Sequence, residues 1–165
     1  MFKVGDLIIY SMHGVCCIDD ICERTFGNVK KNYYVLHPIE DEKLIINVPV
    51  DSDKIVMENI ITKEEAEEVL EAFKEPGVDW IDADTTRNNV YSGIVKKGSR
   101  KEIIEVCSTL LKVKNKVGDK EKKLTAKDKE LLDNIQRILY EELSIVLDTT
   151  YNDINKRVNA MIKLG

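Results

Sequence analysis

Apolar positions along this chain follow two rhythms. In the first sixty residues they come as short runs: Leu7-Ile8-Ile9-Tyr10, then Val15 to Ile21, then Tyr33-Tyr34-Val35-Leu36, then Leu44-Ile45-Ile46 and on to Val50. Gly5-Asp6, His13-Gly14, Phe26-Gly27-Asn28 and the polar stretch 38–42 separate them. Short β-branched and aromatic runs with turn signals about every ten residues predict a small barrel or sandwich. Pro49 marks a strand end or an edge, because proline donates nothing to a ladder.

From residue 62 the spacing becomes helical. Thr62 with Glu65 is a capping-box pair, followed by Ala66, Val69, Leu70 and Phe73 on one face. Pro76-Gly77 ends that helix, and residues 78–86 read as a linker holding the single Trp. A short helix is expected over 87–95. Ser99 caps another carrying Ile103, Ile104, Val106, Cys107, Leu110 and Leu111. Residues 112–123 read as a basic loop around Gly118. Thr125 with Asp128 opens a long helix reaching Val146, and Thr149 or Thr150 starts a last one through Ile154, Val158, Met161 and Ile162. An all-β half followed by an all-α half predicts an α+β chain of two segregated domains, residues 1–60 and 61–165.

Charge sharpens the division. The 165 residues carry a net charge of −5, which counts mildly against nucleic acid. The charge is uneven, however: residues 96–129 hold twelve Lys/Arg against five Asp/Glu. Such asymmetry points to two modules with different partners.

Other classes find little support. No apolar run approaches the roughly 18–20 residues that span a bilayer, and the first residues lack a signal-peptide apolar region, so a cytoplasmic protein is expected. Cys16, Cys17, Cys22 and Cys107 lack paired metal-ligand spacing; reduced thiols are expected rather than a site built from Cys17, Cys22, His13 and His37. His13 and His37 read as turn residues. There is no Gly-rich phosphate loop, no HExxH and no nucleophile elbow, so neither enzyme activity nor a cofactor is expected.

Phe2-Lys3-Val4-Gly5-Asp6 leads into Leu7-Ile8-Ile9-Tyr10, followed by His13-Gly14-Val15, Tyr33-Tyr34-Val35-Leu36 and Ile46-Asn47-Val48-Pro49. This series resembles the N-terminal motifs of the CarD/CdnL transcription regulators, shared with the RNA-polymerase-binding domain of the transcription-repair coupling factor. The second half is similar in layout: Trp80, Arg87, the Gly98-Ser99 helix start, Lys123-Leu124-Thr125, and Ile138-Leu139-Tyr140-Glu141-Glu142-Leu143. The resemblance covers nearly the whole chain.

The resemblance implies a Tudor-like barrel docking on the RNA polymerase β subunit. It also implies a helical domain touching promoter DNA at the upstream edge of the bubble and altering open-complex stability. Docking would use strand addition at a barrel edge, for which Leu44, Ile45, Ile46, Asn47 and Val48, ending at Pro49, are the candidates. Arg24 matches a basic position the family uses against polymerase, whereas Asn47 stands where well-known members carry Arg. Trp80 would act as a minor-groove wedge, with Arg87 neutralising a phosphate or entering the groove and Asn88 and Asn89 hydrogen-bonding beside it. The spacing from Trp80 to Gly98 is four residues longer than in typical members. Lys96, Lys97, Arg100 and Lys101 would meet backbone phosphates at a helix N-terminus without reading bases. A polymerase-binding adaptor without DNA contact, or a homodimer through the barrel edge, are the alternatives.

Overall fold

The structure is a computed structural model, and it describes residues 1–10, 13–52 and 57–165. The chain divides into two compact units, Met1–Ile60 and Ile61–Gly165.

The first unit is an antiparallel sheet of β1 (Leu7–Tyr10), β2 (Gly14–Phe26), β3 (Val29–Pro38), β4 (Ile46–Pro49) and β5 (Met57–Asn59), in the order β4-β3-β2-β1-β5. Ile8, Cys16, Ile18, Tyr34, Leu36 and Val48 form its small core. Cys16 is buried and Cys17 is not, because neighbouring strand residues point to opposite faces.

Three expectations change here. Among the described residues β4 pairs only with β3 and β5 only with β1. The sheet is therefore open, not a closed Tudor-like barrel. β2 and β3 run longer than expected, since their paired outer arms extend as a two-stranded ribbon to Phe26 and Val29 through polar residues. Gly27 turns that ribbon with a φ of 61°, a value that favours glycine. Finally, His37 lies within β3 rather than in a turn, opposite Cys17, and its Nδ1 meets Asp19 Oδ2 at 2.6 Å. Cys22 stands elsewhere on β2, opposite Tyr33. Among the described residues no three His, Cys, Asp or Glu side chains gather as a metal site.

The second unit contains α1 (Lys63–Ala72), α2 (Asp84–Lys97), α3 (Arg100–Lys114), α4 (Ala126–Val146) and α5 (Tyr151–Leu164). Reciprocal capping boxes start three of them: Thr62 with Glu65, Ser99 with Glu102, and Thr125 with Asp128. Each satisfies two orphan backbone donors. Val69, Leu70, Phe73, Leu110, Leu132, Leu139, Leu143, Ile154 and Val158 are among the side chains of one continuous core. No helix among the described residues is long and apolar enough to cross a membrane.

α2 departs from this pattern. It begins at Asp84, three residues before the expected start, without a side-chain cap, and it buries only Arg87 and Tyr91. A helix with so little apolar face depends on specific tertiary contacts more than on its own amphipathicity. Those contacts converge on Trp80.

Candidate nucleic-acid interface around Trp80

Residues 78–82 form an irregular segment between α1 and α2, and four of their carbonyls are held by side chains. The Thr109 hydroxyl donates to Val78 O at 2.8 Å. The Tyr91 hydroxyl donates to Asp79 O at 2.6 Å. Arg87 Nη1 donates to Ile81 O at 2.8 Å and reaches Asp82 O at 3.4 Å. Trp80 sits in the middle of this pinned backbone, partly buried against the core. It is neither a fully buried core residue nor a free loop side chain.

Arg87 is the surprise of the site. The resemblance put it on phosphate or in the groove, yet it is 1% exposed. Its Nε and Nη2 donate to the two oxygens of Asp128 at 3.1 and 2.6 Å, and Nη2 also meets Asp84 Oδ1 at 2.9 Å. Its guanidinium carbon lies 4.1 Å from the Trp80 ring centroid, well inside the range of cation–π attraction. The hydrogen bond to Asp128 raises the Arg87 pKa above its ordinary value against the cost of burial. Burial pushes the Asp128 carboxyl up, but the bonds from Arg87 and Thr125 outweigh it and hold the group below its usual range. Arg87 is thus an internal cation that supports the ring, with no hydrogen-bonding capacity aimed at solvent.

Arg100 is withdrawn as well. It is ion-paired with Glu142, a buried carboxylate that also accepts from the Ile61 backbone N–H. At the α3 N-terminus the capping box is closed within the chain: Ser99 N donates to Glu102 Oε1 at 3.1 Å and Glu102 N donates to Ser99 Oγ at 3.3 Å. The bond from Ser99 N holds the Glu102 carboxyl below its usual range. Lys96 and Lys97 belong to the last turn of α2 rather than to the start of α3. They and Lys101 are exposed. At about 1.5 Å rise per residue, Lys97 stands roughly 15 Å along α2 from Arg87. Asn89 is exposed and Asn88 partly so.

The basic stretch 112–123 is not a plain loop. α3 runs to Lys114, Val117 and Leu124 pack on the core, and Lys122 Nζ lies 6.0 Å from the Trp80 ring centroid. Within that stretch, nothing in the sequence singles out Lys122 for Trp80, which is 42 positions away with no local pattern linking the two. Asp128 was recognised only as a cap, and its second partner lies 41 positions away.

In the β unit, β4 is an edge strand. Leu44 and Ile45 precede it as exposed residues instead of forming its start, while Ile46, Asn47, Val48 and Pro49 are the strand. Val48 faces the core and Asn47 is exposed. Arg24 is exposed on the outer arm of β2, opposite Lys31.

Two known families match consecutive parts of the chain. Residues 2–61 match the CarD-like/TRCF RID domain, and residues 57–159 match the CarD C-terminal domain. The chain belongs to the CarD family. It is also 31% identical over 157 residues to YdeB of Bacillus subtilis (strain 168), a candidate transcription factor by name, covering 93% of this chain and 97% of that one. CarD-family proteins are transcription regulators, and the RID is an RNA-polymerase-interacting domain. The β4 edge and Arg24 fall in the RID part of this CarD chain, and the Trp80 site falls in the CarD C-terminal part.

Proposed function

We propose that this CarD-family chain is a non-catalytic regulator that docks on the RNA polymerase β subunit and places Trp80 against promoter DNA at the upstream edge of the bubble. The observation that carries this reading is the presentation of Trp80: a partly exposed indole on a backbone held at four carbonyls, with the Arg87 guanidinium over its ring and Lys122 nearby. An aromatic wedge stabilises an unstacked step and so favours an open duplex. A ring already held in place loses less freedom on binding.

Lys96, Lys97, Lys101 and Lys122 supply the phosphate contacts, in place of Arg87 and Arg100. Asn88 and Asn89 add uncharged contacts beside the ring. These contacts are sequence-independent and salt-sensitive. The net charge of −5 keeps binding to free DNA weak. Docking of the β4 edge, with Leu44, Ile45, Asn47 and Arg24 around it, raises the effective concentration of the helical unit at the promoter.

One observation favours a second reading. Two expected phosphate ligands are tied to buried carboxylates, and the exposed Asp79 and Asp82 flank Trp80. An adaptor that binds polymerase without touching DNA would tolerate both features. Open-complex lifetime on a defined promoter separates the two. Trp80→Ala, and separately Lys96→Glu with Lys97→Glu, abolish the effect on lifetime while polymerase binding persists. If both variants act as the parent does, the adaptor reading holds.

A further inference from the structure

We infer that Asp128, at the start of α4, is a positioning residue for Trp80, acting through the Arg87 guanidinium. This rests on the reading that Trp80 contacts promoter DNA. Of the three side chains that pin residues 78–82, Thr109 and Tyr91 each hold one carbonyl. Arg87 alone holds two and also packs on the ring. What fixes Arg87 is Asp128. Two of its nitrogens bind the two carboxylate oxygens in a fork, a geometry that sets the plane of the guanidinium and not merely its location.

Asp128 is itself held from a second side. It is 1% exposed, and its Oδ2 accepts from Thr125 N at 2.8 Å within the capping box of α4. A rigid line therefore runs from the first turn of α4 through one carboxylate and one guanidinium to the ring. Asp84, the other carboxylate on Arg87, is largely exposed and cannot set the plane alone. The arrangement gives the chain a defined indole orientation before any DNA arrives.

The test must separate positioning from simple support of the fold. A single truncation would strand a buried charge, whereas exchanging a buried ion pair for apolar groups of similar volume is often neutral or stabilising. The full chain is therefore prepared with Arg87→Met and Asp128→Leu together. Thr125→Ala, which weakens the α4 cap but leaves the fork intact, and Trp80→Ala are the controls. Because the chain has a single Trp, acrylamide quenching reports Trp80 directly.

The double variant is expected to melt cooperatively, with Trp80 more quenchable and its effect on open-complex lifetime reduced about tenfold. Thr125→Ala lowers the melting temperature without changing quenching. A folded double variant with parental quenching and lifetime overturns the proposal, as does Thr125→Ala changing quenching equally. Unaltered lifetime with Trp80→Ala removes the DNA reading and this role with it. Increased quenching at unaltered lifetime removes only the positioning role. If the double variant does not fold, Arg87→Lys keeps the charge and loses the fork. Increased quenching in that variant supports the proposal, and parental quenching overturns it.

Discussion

The Arg87 guanidinium carbon lies 4.1 Å from the centre of the Trp80 ring, so a residue expected on the DNA stands inside the protein instead. Its charge is met by Asp128, itself 1% exposed. Arg87→Ala leaves that carboxylate buried and unpaired. Loss of one partner from a buried pair typically costs about 3–5 kcal/mol. Denaturant unfolding followed by helical circular dichroism should show a loss of that size, with Trp80 fluorescence changing in the same transition.

Acid should act through the same carboxylate. The Asp128 carboxyl is held below its ordinary value in the fold. Its contribution to stability is therefore complete above about pH 3.9, the ordinary aspartate value, and is lost as pH falls through the lower folded value. Trp80 emission and quenching should stay constant from neutral pH down to about 4 and change below it. A change centred near pH 6 would point to a different group.

Gly77 offers a backbone test of the same loop. A Cβ there would collide with Thr109 Oγ1 and stand 2.7 Å from the Glu105 carbonyl oxygen. The first is the hydroxyl that holds Val78. Gly77→Ala should cost about 1–3 kcal/mol through overpacking, measured by thermal melting, and should raise Trp80 quenching. Thr109→Val, which replaces the hydroxyl by a methyl and so loses the bond to Val78 O, should cost about 1 kcal/mol.

How far the sequence reveals this site depends on the range of each interaction. The three capping boxes lie within four residues each, so side-chain chemistry announces them directly. The long helices through Leu110 and Leu139 follow from apolar periodicity. The change from sheet to helix at residue 62 is visible for the same reason. Arg87 is different: alone, it reads as a surface cation on a weakly amphipathic helix, and only the fold brings Asp128 to it. Lys122 and Trp80 share no local pattern either. In the β unit, the outer arms of β2 and β3 expose both faces, so Glu23-Arg24-Thr25 lacks the alternation that marks a half-buried strand. β5 is three residues long, too short to leave a periodic signal.

The polymerase-facing half makes its own prediction. Asn47 is exposed on the β4 edge, and Arg24 on the outer arm of β2. Arg24→Glu should weaken binding to the isolated polymerase β subunit. Asn47→Arg should tighten it by about twofold to fivefold, the value of one exposed charged contact. Surface plasmon resonance at two salt concentrations checks both, since the gain from Asn47→Arg should shrink at high salt.

Contact between residue 80 and promoter DNA is the central claim, and site-specific photo-crosslinking addresses it most directly. A photoreactive phenylalanine derivative replaces Trp80 in the full chain, and the protein is irradiated with polymerase on a defined promoter. The predicted result is a crosslink to DNA at the upstream edge of the bubble that requires polymerase and disappears on free DNA. Crosslinks to polymerase alone, with none to DNA in a complex that forms normally, would contradict the account.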